Sequence, residues 1–210
     1  GVSVVDTHYS NLFSSRNVIK NDKVTPGKEP YALDLWGLAN EKVKHALRDG
    51  LTIYAEIVGY TPTGRGIQSI GKIYDYGYTK GNFAVYVYRI TYISPSGGVF
   101  EFSSKQIQAY CLEQGLNPVP EYYHGTAKNL CDRFNHKYTS ETFGEVFINL
   151  LRELYLEKDC TMCNNKLPDE GIVIRKEANV IEVYKLKSLR FLEGETKEID
   201  KGNNNIEEEN

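Results

Sequence analysis

Residues 83–93 read FAVYVYRITYI, a run of β-branched and aromatic side chains interrupted by one charge, Arg89. Such residues suit a pleated, half-buried backbone, and flanking Asn82 and Pro95 bound the run, so it predicts a strand. Residues 51–60, LTIYAEIVGY, read the same way. Working outward, Val2–Val5, Gly98–Phe102, Gly171–Arg175 (GIVIR) and Val180–Lys187 (VIEVYKLK) are shorter runs of the same kind. At least six strands are expected.

Between the strands the period changes from two to 3.6. Phe143, Val146, Phe147, Leu150, Leu151, Leu154 and Tyr155 follow the spacing of one helix face, with Ser140 as the expected cap. Leu33–Leu47 and Ser104–Gln114 predict two further helices, the second ending at Gly115. Strands and helices mix without strict alternation, which argues for an α+β fold with mostly antiparallel sheets rather than a doubly wound parallel sheet. Sixteen tyrosines against one tryptophan point the same way, because a ring on an alternating strand can pack while its hydroxyl reaches water.

The 210 residues suit one large domain or two small ones. Hydrophobic residues at 40% and charged residues at 25% exclude wholesale disorder and fibrous repeats. No apolar run reaches the roughly 18 residues of a membrane span, and GVSVVDTHYS has no signal-peptide character, so a cytoplasmic protein without a membrane partner is expected. Four cysteines then read as reduced thiols. A formal charge of −3 supplies no global basic field, so contact with nucleic acid would need a local cluster of Lys and Arg. Residues 201–210, KGNNNIEEEN, read as an acidic, solvated tail.

Three strand-borne sets of ionisable residues stand inside apolar runs, where burial would be costly without a partner or ligand: Glu56, Glu170 with Arg175, and Lys185 with Lys187. The two lysines are two positions apart, so on a strand both ammonium groups leave one face, an arrangement suited to an anion. Taken singly each has an ordinary explanation, as a cross-strand ion pair, a surface charge or the wet side of an edge strand.

Their order along the chain adds information. IYAEIVGY, FAVYVYRI, DEGIVIRKE and VYKLKS follow one another as motifs do in the covalent nucleotidyltransferases, the superfamily of ATP-dependent DNA and RNA ligases and mRNA capping enzymes. With SSRN at Ser14–Asn17 and YKLKSLRFLEGETK at 184–197, the chain most resembles the RNA ligase family found in phages, over nearly its whole length. The resemblance implies two antiparallel sheets with flanking helices, an ATP-grasp-like arrangement, the nucleotide held in the cleft between the sheets, and an adenylyltransferase domain spanning 1–200. It also implies ATP and Mg²⁺ (or Mn²⁺) as cofactors, RNA 5′-phosphate and 3′-hydroxyl ends as partners, and, for a phage protein, the host cytoplasm.

By the same resemblance, Glu56 would accept a hydrogen bond from the ribose and Tyr88 would stack on adenine, although Tyr86 points to the same face and core packing would serve either ring. Glu170 would hold the divalent metal, Lys185 and Lys187 would neutralise the α-phosphate, and Arg16 would grip the nucleotide or RNA terminus. The family nucleophile lies in Lys-x-Asp-Gly. VSVV after Gly1 matches the continuation of that motif, so Gly1 is expected to be its glycine, at the nucleotide, and the lysine to precede it. None of the lysines in the 210 residues has that context, so the chain alone is not expected to adenylylate itself.

Other signals carry less. Cys160-x-x-Cys163 is half of a structural zinc site, and TPTGRGIQSIG lacks the Gly-Lys-Ser/Thr of a phosphate loop and reads as a connection between strands. The four histidines lie in no hydrolase constellation. Tyr122, Tyr123 and His124 could stack on bases or pack in a loop. Alternatives to an RNA ligase are a DNA ligase, a capping-type nucleotidyltransferase, and a nucleotide- or RNA-binding module without catalysis.

Overall fold

The computed structural model describes residues 12–14 and 34–201. The strand expected at Val2–Val5, Gly1, Arg16 and the tail from 202 onward lie outside them. The described chain divides into two compact units. One holds the described residues up to Ser69 together with Tyr74–Val119, the other Ile70–Ile73 with the described residues from Pro120 on. Five α-helices and two sheets, antiparallel but for one short parallel strand, make the described fold α+β, as the sequence predicts.

In the first unit Asp34 opens helix α1 (Leu35–Val43): its carboxylate accepts the Gly37 N–H at 2.7 Å. The helix stops short of Leu47 because the chain tightens into a 3₁₀ turn at Lys44–Ala46. Strands β1 (Leu51–Gly59) and β2 (Phe83–Ile93) pair antiparallel, and β3 (Val99–Glu101) returns along β2. Helix α2 (Ser104–Gln114) starts with a reciprocal cap between Ser103 and Gln106 and ends at Gly115, whose φ of 65° is the left-handed turn the sequence predicts there. Strand β4 (Asn117–Pro118), which no sequence signal announces, runs parallel to β2 at Tyr86 and Val87.

Strand alternation decides what this unit buries. Leu51, Ile53 and Ala55 of β1 face the core, where fully buried Val87 and Ile90 of β2 meet Ile107 and Cys111 of α2. Each fully buried aliphatic side chain of this kind contributes about 1.5–3 kcal/mol. Leu35 of α1 and Ile67 form a second cluster with Ile57 and Phe83. Thr52, Tyr54 and Glu56 therefore lie on the opposite face of the sheet.

The second unit is built around helix α4. Thr126 caps α3 (Ala127–Arg133), and α4 spans Phe143–Tyr155. Thr142, not Ser140, stands at the α4 N-cap, and its hydroxyl accepts the Thr139 N–H at 2.9 Å, so the turn before the helix is held by two threonines. The α4 stripe packs on Leu130 and Cys131 of α3 and on Ile172, Ile174 and Leu186 of a hairpin made by β5 (Gly171–Glu177) and β6 (Ile181–Lys187). A lone hairpin is marginal in water, so this apolar cover holds the hairpin in place. Helix α5 (Leu189–Asp200) follows at once.

Candidate functional site

The hairpin of the second unit assembles three of the expected site residues. Its register pairs Gly171 with Lys187, Ile172 with Leu186 and Val173 with Lys185. Because Ile172, Ile174 and Leu186 face α4, Lys185 and Lys187 leave the other face together. Glu170 precedes β5 and is tied to the same end, since its carbonyl accepts the Ser188 N–H at 2.9 Å. Gly171, at φ 140°, allows this closeness: a Cβ there would lie 2.2 Å from the Leu186 carbonyl oxygen.

The two lysines differ in their surroundings. Lys187 Nζ lies 3.5 Å from Glu195 Oε2 and 5.1 Å from the centre of the Phe191 ring. Lys185 is exposed and makes no hydrogen bond or ion pair with another described residue. Arg175, on the same strand as Gly171, pairs with Glu177 at 2.9 Å.

The start of α5 is fixed next to Lys187. The Ser188 hydroxyl accepts the Phe191 N–H, while the Glu157 carboxylate accepts the N–H groups of Leu189 at 2.7 Å and Arg190 at 3.1 Å. These donors hold the Glu157 carboxyl below the usual glutamate range, the Leu189 N–H contributing most. The Arg190 guanidinium completes the tie on Asp159 at 2.8 Å.

Among the described residues no three His, Cys, Asp or Glu side chains gather as a metal cluster. Mg²⁺ needs less, because it is commonly held by one or two carboxylates plus substrate phosphates. Burial pushes the neighbouring Asp169 carboxyl up, against the backbone N–H groups of Gly171 and Glu170 that it accepts. Asp169 is thus turned to its own backbone. Glu170, half-buried at the end of the hairpin where Lys187 lies, carries a hard oxygen donor of the kind Mg²⁺ takes.

In the first unit the outward face of the sheet carries Glu56 and Tyr88. Glu56 stands opposite Tyr86, and the register slips between Tyr54 and Ala55, so that Tyr88 is the extra residue of a β-bulge. The Tyr88 ring lies 6.3 Å from that of Tyr54, over which the Arg89 guanidinium sits at 4.8 Å. Arg89 also pairs with Glu101 at 2.8 Å, which raises its pKa further. Tyr86 meets Tyr78, hydroxyl to hydroxyl, at 3.2 Å, and burial together with that bond pushes the Tyr78 phenol up to about 12.

The costly burial weighed for Glu56 and Lys185 is not found: both are exposed, as is Tyr88 at 42%. The immediate neighbours Ala55, Ile57 and Leu186 pack inward, and Glu56 and Lys185 occupy the outward positions beside them. Glu170 and Lys187 are half-buried. The remaining signals resolve into local structure. TPTGRGIQSIG folds back on β1, with Thr61 buried and Ile67 N–H donating to the Gly59 carbonyl, in the connection between β1 and β2. Cys160 and Cys163 lie half-buried in a loop closed by the Cys160 N–H on the Leu167 carbonyl at 2.8 Å. Tyr122 stacks on Tyr155, with ring centres 5.4 Å apart. Glu195 escaped the sequence reading, yet once 189–200 is a helix, Phe191 and Glu195 are one turn apart and share a face.

Comparison with known proteins adds nothing to this geometry: no family model, curated protein or solved structure matches the chain.

Proposed function

We propose that the chain is the adenylyltransferase portion of an ATP-dependent RNA ligase, acting on RNA ends in a nucleotide-rich cytoplasm. The observation that supports this most is the β5–β6 hairpin, which delivers Lys185 and Lys187 to one face and Glu170 to the same end. Two ammonium groups on one face, with a carboxylate-bearing residue at the same end of the hairpin, would suit a metal-bridged phosphate.

In this reading a lysine amine attacks the α-phosphorus of ATP, the bond to pyrophosphate breaks, and AMP is retained as a phosphoramidate. The RNA 5′-phosphate then displaces the lysine, and a 3′-hydroxyl displaces AMP to seal the strand. Charge grows on phosphate oxygens in each step, and fixed cations that meet it lower the barrier. Lys187, held by its neighbours, and Lys185, exposed and without a described partner, take that role. Glu170 would hold Mg²⁺, which supplies further neutralisation when bound. On the first unit, Glu56 would accept a ribose hydroxyl and Tyr88, exposed in its bulge, would offer a ring to adenine. Gly1 and Arg16 keep the roles that the resemblance implies.

The last step needs no lysine adduct, so it is the step to test on this chain. RNA already carrying a 5′-adenylate, mixed with a 3′-hydroxyl strand and Mg²⁺, should be joined with release of AMP, and Lys187→Ala or Glu170→Ala should abolish joining. A chain that binds ATP but joins nothing would support a binding module instead. Preference for DNA ends would favour a DNA ligase, and preference for GTP a capping-type enzyme.

A further inference from the structure

Lys187 is held by two side chains one helical turn apart. Phe191 and Glu195 project from one face of α5, the first placing its ring 5.1 Å from the ammonium and the second its carboxylate at 3.5 Å. The Glu195 side chain is only 13% exposed while that of Lys187 keeps 31%, so the glutamate is the more deeply covered of the two and the lysine keeps access to solvent. The helix is fixed at this point: a Cβ on Gly194 would lie 2.9 Å from Ile70 Cγ2, so the glycine lets α5 close against that residue. Its other end is fixed by Ser188 and Glu157.

We propose that Glu195 is a positioning residue for Lys187. It acts as a hydrogen-bond acceptor that, with the Phe191 ring, holds the ammonium at the end of β6 before an anion arrives. An ammonium has three donors, and a single long contact to Glu195 leaves others for a phosphate oxygen. A flexible lysine loses rotamer freedom when it captures an anion, and ordering it beforehand removes part of that cost. Lys185, two residues earlier and without such a partner, is the adaptable member of the pair. The identity of the anion as a nucleotide phosphate rests on the ligase reading; the ordering of Lys187 does not.

The test titrates ATP and adenosine against wild type, Glu195→Ala, Glu195→Gln, Lys187→Ala and the double variant Lys187→Ala with Glu195→Ala. Glu195→Ala should weaken ATP about tenfold, the scale of a lost hydrogen bond to a charged group, and leave adenosine unchanged. Glu195→Gln keeps an acceptor oxygen and should stay within about threefold of wild type, and the Glu195→Ala effect should vanish once Lys187 is alanine. Tighter ATP binding by Glu195→Ala would make the carboxylate a competitor of the phosphate and overturn the proposal. Equal losses for ATP and adenosine, or an undiminished effect without Lys187, would overturn it as well. If wild type binds neither ligand the nucleotide reading fails, and NMR of ¹³Cε-labelled lysine decides the matter alone. A Lys187 side chain more ordered in wild type and Glu195→Gln than in Glu195→Ala sustains the positioning role, and equal order in all three overturns it.

Discussion

The Glu157 carboxylate accepts the Leu189 backbone N–H at 2.7 Å, joining the segment after α4 to the first turn of α5 across 32 residues of sequence. The Glu157 backbone makes this possible by entering the left-handed region at φ 56°, an uncommon conformation for a residue with a side chain. The first turn of α5 begins one residue after Ser188, which itself follows Lys187. An acceptor on one side of the unit thereby sets the direction in which β6 ends.

That contact gives a pH dependence. The folded-state pKa of Glu157 is lowered, so its contribution to stability is fully present above the ordinary glutamate value of about 4.3 and is lost as pH falls through the lowered one. Glu157→Gln should be less stable than wild type at pH 7, and the gap should close as pH drops below about 4. Urea midpoints measured from pH 7 to pH 3 check the convergence; a gap that stays constant would contradict it.

Gly171 carries the second prediction. At φ 140° and with a Cβ position 2.2 Å from the Leu186 carbonyl oxygen, alanine cannot enter without moving the backbone of β6. Gly171→Ala should destabilise the protein by about 3 kcal/mol, from strain together with a lost ladder contact. Equilibrium urea unfolding would show it, and a midpoint equal to wild type would exclude the described register.

Ile90 is fully buried between Ile53, opposite it on β1, and α2. Ile90→Ala should cost about 3 kcal/mol, the transfer term plus the cavity left behind, whereas truncating exposed Tyr88 should cost far less. Thermal unfolding of the two variants compares them directly.

Ser103 caps α2 in a reciprocal pair with Gln106: its hydroxyl accepts the Gln106 N–H at 3.3 Å and the Gln106 side chain accepts the Ser103 N–H at 2.8 Å. Ser103→Ala should lose about 1 kcal/mol, and Ser103→Asp should retain most of it. Chemical denaturation of the three proteins checks the order.

Much of this architecture is legible in the sequence because period and composition agree. FAVYVYRITYI and LTIYAEIVGY are strands at the expected bounds, within one residue, and the α4 stripe is the packing face it predicts. What escapes has physical reasons. The two residues of β4 are too few for any period, and Pro118 argues against a strand at all. The bulge at Tyr88 depends on a register no single strand encodes. Helix α5 hides behind a mid-helix Gly194 and a polar composition, and without it the placing of Glu195 on Lys187 is unreadable. Alternation also explains why Glu56, inside an apolar run, is exposed: its neighbours Ala55 and Ile57 face the core and it does not.

The central proposal, that Lys185 and Lys187 of the β5–β6 hairpin serve a bound nucleotide phosphate, is tested most directly by calorimetric titration of ATP with Mg²⁺ into wild type, Lys187→Ala and the double variant Lys185→Ala with Lys187→Ala. Binding by wild type, weakened about tenfold or more in each variant while the fold is kept, is the predicted result. Equal affinity in all three proteins, or no binding by wild type, would contradict it.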